Sequence, residues 1–224
     1  MDFIYLLASA CAVILVLTLH EFAHAFVAYR CGDPTAKYAG RLTLNPLRHF
    51  DAAGLIMFVL VGFGWAKPVP INPGNFKNYK KGLFLTAGAG VALNFILSFF
   101  SYPLWSLADI YLKEPNYLFL FINYFLFSFF LYNLNFCVFN LIPLYPLDGF
   151  NIWYSLDGGR SKAVRFIEAY GNKILLALVI ESFVCRLIAS RIPFFTYLDI
   201  LGNTLGRLIY WIRVPINLFW GLFI

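Results

Sequence analysis

Thr18-Leu19-His20-Glu21-Phe22-Ala23-His24-Ala25 sets two histidines four residues apart inside a hydrophobic run. On a helix that spacing is about one turn, so both imidazoles project from one face and can reach a single zinc ion. Glu21 lies beside them, where it can take a proton from a water acidified by the metal. In a soluble chain the pattern suggests an ordinary zinc protease. Here seventeen uncharged residues, Phe3 to Leu19, precede it, and after Glu21 the uncharged run resumes up to Arg30. A carboxylate in such a run costs about 2.5–3.5 kcal/mol, the figure for an Asp at mid-membrane, and so marks a functional site. A lone buried His is more often a hydrogen-bonded core residue than a ligand. Two His and a Glu at zinc spacing, in a chain with three His and four Glu, are a stronger pattern. The stretch predicts a membrane-embedded zinc hydrolase.

Composition agrees. The 224 residues are 61% hydrophobic and 12% charged, against about 45–50% apolar and about 25% charged in soluble domains. This predicts an all-α polytopic membrane protein in contact with the lipid bilayer. The net charge of +6 is carried by Lys and Arg between apolar runs, which suits acidic headgroups and a positive-inside topology rather than nucleic acid. Cys11, Cys31, Cys137 and Cys185 form no C-x-x-C and read as small hydrophobic fillers. Ala8-Ser9-Ala10 resembles a signal-peptide cleavage triplet, but Met1-Asp2 is no basic n-region and only five apolar residues precede it. The first run is therefore expected to be a retained span.

Residues 3–29 make about 40 Å of helix, enough to cross with tilt, and Glu21 lies about 13 Å in from the Arg30 end. Gly32-Asp33-Pro34 and Asn45-Pro46 signal turns. Between them residues 39–44 alternate enough for a short strand. The run 52–66 makes only about 22 Å of helix, too short for an untilted crossing. Lys67-Pro68-Val69-Pro70-Ile71-Asn72-Pro73 is extended. It could pair with 39–44 in a small membrane-associated sheet whose free edge takes a peptide. Residues 82–108 form a second span, small-residue rich at Gly82, Ala87, Gly88, Ala89 and Gly90, with Asn94 within it. A third, from 115, ends near 139, where Pro143 and Pro146 remove backbone donors. A polar connection at 150–168, a weaker span at 174–189 and a broken apolar stretch at 196–224 complete the chain. The basic groups of residues 30–51 and 67–81 are equally rich. Residues 52–66 are accordingly expected to dip in and return on the same side, leaving 30–81 cytosolic.

Two His leave a catalytic zinc short of one protein ligand. His49, Asp148 and Glu181 are the candidates. Asp148 is favoured because a Pro-broken helix can fold back to the depth of His24. His49, in a turn-rich loop, reads more readily as a loop-ordering residue. Glu181 reads as a structural partner of Arg186 or Arg207. Asn94 and Asn140 are amides that hold helices together, and Asn140 could also donate to a substrate carbonyl.

These residues resemble the site-2 protease family of intramembrane zinc metalloproteases, in its compact prokaryotic branch without PDZ or CBS domains. The resemblance rests on His20-Glu21-Phe22-Ala23-His24, Gly32-Asp33-Pro34-Thr35-Ala36, Gly40-Arg41-Leu42-Thr43-Leu44-Asn45-Pro46, Gly64-Trp65-Ala66-Lys67-Pro68-Val69-Pro70, and Asn140-x-x-Pro143 with Leu147-Asp148-Gly149. It covers residues 18–150, and 151–224 only loosely. It implies Zn2+ held by His20, His24 and Asp148, Glu21 as base, and Asn140 near the substrate. The family often has A-G-P-x-x-N where this chain has Ala89-Gly90-Val91-Ala92-Leu93-Asn94, and Pro and Gly in place of Tyr145 and Phe150.

The expected fold is one membrane-embedded domain over 1–224: a three-helix catalytic core (3–150) with a small sheet or re-entrant loop, then C-terminal helices (151–224). The expected activity is hydrolysis of peptide bonds in or near transmembrane segments of membrane-protein substrates. The expected location is a prokaryotic cytoplasmic membrane, with the site toward the cytosol. A catalytically inactive protein that binds transmembrane helices is the rival, disfavoured because zinc retention does not require Glu21. A metal transporter is disfavoured because no chain of acids marks a path.

Overall fold

A computed structural model describes residues 3–49, 51, 53–54, 67–112 and 116–224. Lipid offers no partners for backbone N–H and C=O groups, so long apolar runs must satisfy them internally as helix. Helix α1 spans Phe3–Cys31 and stops before Gly32-Asp33-Pro34. α2 is one turn, Thr35–Tyr38. α3, Tyr79–Tyr111, starts at Asn78, whose side chain accepts the Lys81 N–H. α4, Tyr117–Asn140, starts likewise at Asn116. Then follow α5, Asp148–Asp157, α6, Lys162–Ala189, and α7, Ile200–Trp220. Among the described residues α1, α3 and α4 are long and apolar enough to cross a membrane. They correspond to the expected spans 3–29, 82–108 and 115–139. The expected polar connection at 150–168 is instead largely helical, because Phe150 and Ser155 bury one face of α5 and Ser161 caps α6.

α1, α3 and α4 pack on one another as the central bundle, with α5 against α3. On α1 and α3 the buried faces are mainly small or polar, with Ala8, Ala12 and Val16 on α1 and Thr86, Ala87, Gly90, Asn94 and Ser98 on α3, while α4 supplies the larger Phe130 and Leu134. Many of the large apolar residues of α3 point the other way. Phe100 and Leu104 are 57% and 55% exposed, while Asn94 and Ser98 are fully buried. In water this arrangement would be inverted; in lipid, where helices associate by close packing and hydrogen bonds, it is the stable one. Ser9 and Ser128 join α1 to α4 by a buried hydroxyl pair at 2.9 Å.

The chain leaves and returns at one end of this bundle. Lys77 N–H donates to Cys31 O at 3.0 Å, and Phe76 packs with Ala28 and Leu83. Asp33 ties the two ends together, accepting from Thr35, from the Asn75 amide at 2.8 Å and from Asn72 N–H at 2.7 Å.

No strand forms among the described residues, so the sheet expected from 39–44 and 67–73 is not seen there. Residues 35–38 are α2, and 42–44 are bends. The two segments are joined by a side chain instead of a ladder. The buried Arg41 guanidinium donates to Arg48 O, Lys67 O and, at 3.2 Å, Pro68 O. Pro68, Pro70 and Pro73 also lack the N–H groups a ladder needs. Of the expected membrane dip, 52–66, residues 52 and 55–66 lie outside the described residues.

In the C-terminal helices Arg186, one of the two arginines expected as a partner of Glu181, pairs with Asp199 at 3.1 Å instead. Glu181 instead accepts from Ile200 N–H at 3.2 Å, at the start of α7. Trp220 Nε1–H donates to Phe99 O at 2.9 Å and fastens the end of α7 to α3.

Candidate metal centre

His20 and His24 sit on the inner face of α1, both buried. Gly90 of α3 lies directly over them. A Cβ built there would stand 2.4 Å from His24 Nε2 and 2.6 Å from His20 Cε1, so only glycine lets α3 approach this closely. Asp148 arrives from the far end of α4. The helix stops at Asn140, the chain turns through Pro143 and Pro146, and α5 begins at Asp148. Gly149 makes that return possible, since a Cβ there would stand 2.2 Å from Leu141 O.

Three atoms converge. His20 Nε2 and His24 Nε2 are 3.0 Å apart, and Asp148 Oδ2 lies 3.4 Å from the first and 3.2 Å from the second. Donors placed tetrahedrally at zinc distances of about 2.0–2.1 Å are about 3.3 Å from one another. The triangle therefore fits one such ion. Asp148 Oδ2 is buried and has no hydrogen-bond partner, as expected of an atom kept for a cation. His24 Nδ1 lies 2.7 Å from Thr86 O. A carbonyl only accepts, so Nδ1 carries the hydrogen and Nε2 presents its lone pair to the other two atoms. Among the described residues His20, His24 and Asp148 are the one group of this kind.

Glu21 is held beside the trio. Its Oε2 accepts the Val69 N–H at 3.0 Å, and Val69 is itself buried against Ala25 and Ala36. Two other expected candidates lie elsewhere. His49 is buried with Nε2 2.8 Å from Thr43 O, ordering its own loop. Asn140 ends α4 and donates back to Phe136 O at 3.1 Å. Sequence reasoning passed over Thr86 and Val69, whose contributions are backbone atoms and leave no mark in residue type.

The arrangement defines a class: a helical membrane protein whose central bundle brings together two His and one Asp able to hold a metal ion. A family model, peptidase family M50, matches residues 109–181, a stretch that includes Asp148. The chain is 41% identical over 171 residues to "Putative zinc metalloprotease YwhC" of Bacillus subtilis, covering 75% of this chain and 78% of that one. It is 58% identical over 33 residues to "Putative zinc metalloprotease Rip2" of Mycolicibacterium smegmatis, 15% of this chain and 13% of that one. No solved structure matches. The chain belongs to the M50 peptidases, the site-2 protease family. It is a membrane zinc metalloprotease.

Proposed function

We propose that this protein hydrolyses peptide bonds in or near transmembrane segments of membrane-protein substrates, with His20, His24 and Asp148 as zinc ligands and Glu21 as base. The observation that carries the reading is the place of the His–His–Asp triangle, between helices long and apolar enough to cross a membrane. Zinc held by His20, His24 and Asp148 would supply an acidified water and a polarised carbonyl. Glu21 takes the proton released and returns it to the leaving amine. The Val69 N–H on Oε2 holds one carboxylate oxygen, leaving Oε1 for that transfer. Asn140 lies where the chain turns from α4 toward Asp148 and is the candidate for contact with the substrate backbone. A helical substrate hides its carbonyls in hydrogen bonds and must locally unwind to be cut.

We also place residues 30–81 and the site on the cytosolic side of a prokaryotic cytoplasmic membrane, with residues 1–224 acting as one unit. The return of the chain to one end of the bundle supports the same-side part of this reading, since a single crossing between Cys31 and Lys77 would separate them, and the Lys and Arg flanking the 52–66 run support the cytosolic side. The test is turnover of single-span substrates by the purified protein, with and without a chelator. Glu21→Gln is expected to abolish cleavage while zinc content stays at the wild-type level. A mutant that still turns over at the wild-type rate removes Glu21 as base.

A further inference from the structure

Asn94 is fully buried on α3, one turn beyond Gly90, and its amide faces the second nitrogen of His20. Nδ2 lies 3.2 Å from His20 Nδ1, while Oδ1 is buried with no hydrogen-bond partner. In that orientation Nδ1 must accept, which puts the hydrogen of the neutral ring on Nε2. Nε2 is the atom that stands 3.0 Å from His24 Nε2 and 3.4 Å from Asp148 Oδ2. A hydrogen there blocks ligation. Turning the amide by half a revolution exchanges its oxygen and nitrogen with no change of shape. The oxygen then receives Nδ1–H and Nε2 presents its lone pair, while the amide NH2 takes the buried position that the oxygen leaves. His20 then has the arrangement His24 already has through Thr86 O.

We propose that Asn94 is a positioning residue that fixes His20 as a metal ligand, by presenting its amide oxygen to His20 Nδ1–H. It does not touch the metal or the reacting atoms. Its effect is on the tautomer and ring orientation of His20, and such outer partners change metal affinity about 10–100-fold. The inference rests on the reading of His20 as a ligand.

The experiment is chelator competition on the purified full-length protein in detergent, giving the zinc dissociation constant of wild type, His20→Ala, Asn94→Leu and Asn94→Asp. Asn94→Leu keeps the shape and loses the acceptor, so affinity is expected to fall about 10–100-fold. Asn94→Asp keeps an acceptor and is expected to stay within about threefold of wild type or to bind more tightly. A residue that merely holds helices together predicts the reverse, because an unpaired carboxylate buried there costs more than a leucine. Asn94→Leu unchanged while His20→Ala falls overturns the role of Asn94 alone. So does Asn94→Asp falling as far as Asn94→Leu. No fall in His20→Ala overturns the ligand reading and this inference with it. Should the leucine variant not fold, nitrogen-15 histidine spectra of the zinc-loaded wild type decide: His20 Nδ1 is expected to carry a hydrogen, and a bare Nδ1 overturns the proposal.

Discussion

At the scale of single residues, the site depends on a few atoms with no room around them. Gly90 is the tightest case. Ala at this position sets a methyl within 2.4–2.7 Å of both imidazoles, and either the rings or α3 must move. Overpacking of this kind costs about 1–3 kcal/mol. Gly90→Ala is therefore expected to lower the thermal midpoint and to lose zinc under a chelator concentration that wild type withstands. The two measurements should fall together. The third-ligand choice is tested at the same scale. Asp148→Ala is expected to lower zinc occupancy, and His49→Ala to leave it unchanged, since His49 is engaged with Thr43 O. The opposite result, read by metal analysis after gel filtration, would make His49 the ligand.

Among the elements, the connection from α1 to α3 is held by polar contacts rather than by a sheet. Asp33 is its centre. Burial pushes the Asp33 carboxyl up, but hydrogen bonds from Thr35, Asn75 and Asn72 together outweigh it and hold the group below the usual carboxylate range. A carboxyl depressed on folding stabilises the protein above its unfolded value, about 3.9. That contribution is lost as pH falls through the lower folded value. Asp33→Asn removes it. The variant is expected to be less stable than wild type at pH 7 and to show a flatter loss of stability on acidification, by thermal unfolding in detergent. Equal acid slopes in the two proteins would mean that Asp33 carries no such linkage. Arg41 works alongside it, bringing the carbonyls of Arg48, Lys67 and Pro68 to one guanidinium and so placing the segment that reaches Glu21.

Across the whole molecule, topology is the open property with the most consequence for how a substrate reaches the site. Arg30, Lys37, Arg41 and Arg48 flank one side of the 52–66 run, and Lys67, Lys77, Lys80 and Lys81 the other. A simple crossing exports one of these groups, against the positive-inside bias. Single cysteines replacing Lys37, Lys77 and Lys113 in a cysteine-free background provide the measurement. An impermeant reagent on intact cells is expected to label position 113 and to spare 37 and 77. Labelling of 77 but not 37 would rule the same-side topology out. The placement also bears on chemistry, because α1 ends and α3 begins at the same end of the bundle, the end toward which α5 runs from Asp148 to Tyr154 beside Phe76.

Local pattern alone determined the apolar runs that become α1, α3 and α4, the helical face shared by His20 and His24, and the breaks at Pro34 and Pro143. Each depends on residues within a few turns of one another, where backbone geometry leaves little choice. It favoured Asp148 over His49 and Glu181 from the Pro-broken helix before it, but did not fix the meeting of His20, His24 and Asp148, because a ligand set closes through space and residue type is the same in a loop, a cap or a site. The packed bundle shows where each lies: α5 carries Asp148 back to His24, His49 closes on Thr43 O, and Glu181 accepts the Ile200 N–H at the start of α7. The strand expected at 39–44 failed for a related reason. Alternation reports a preference for extended backbone, but a ladder needs free donors opposite, and the prolines of 68–73 withhold them while Arg41 takes the carbonyls. Gly90, Thr86 and Asn94 acquire their meaning only when α3 is laid against α1, since a close approach, a backbone acceptor and an amide facing an imidazole are properties of two helices and not of either one.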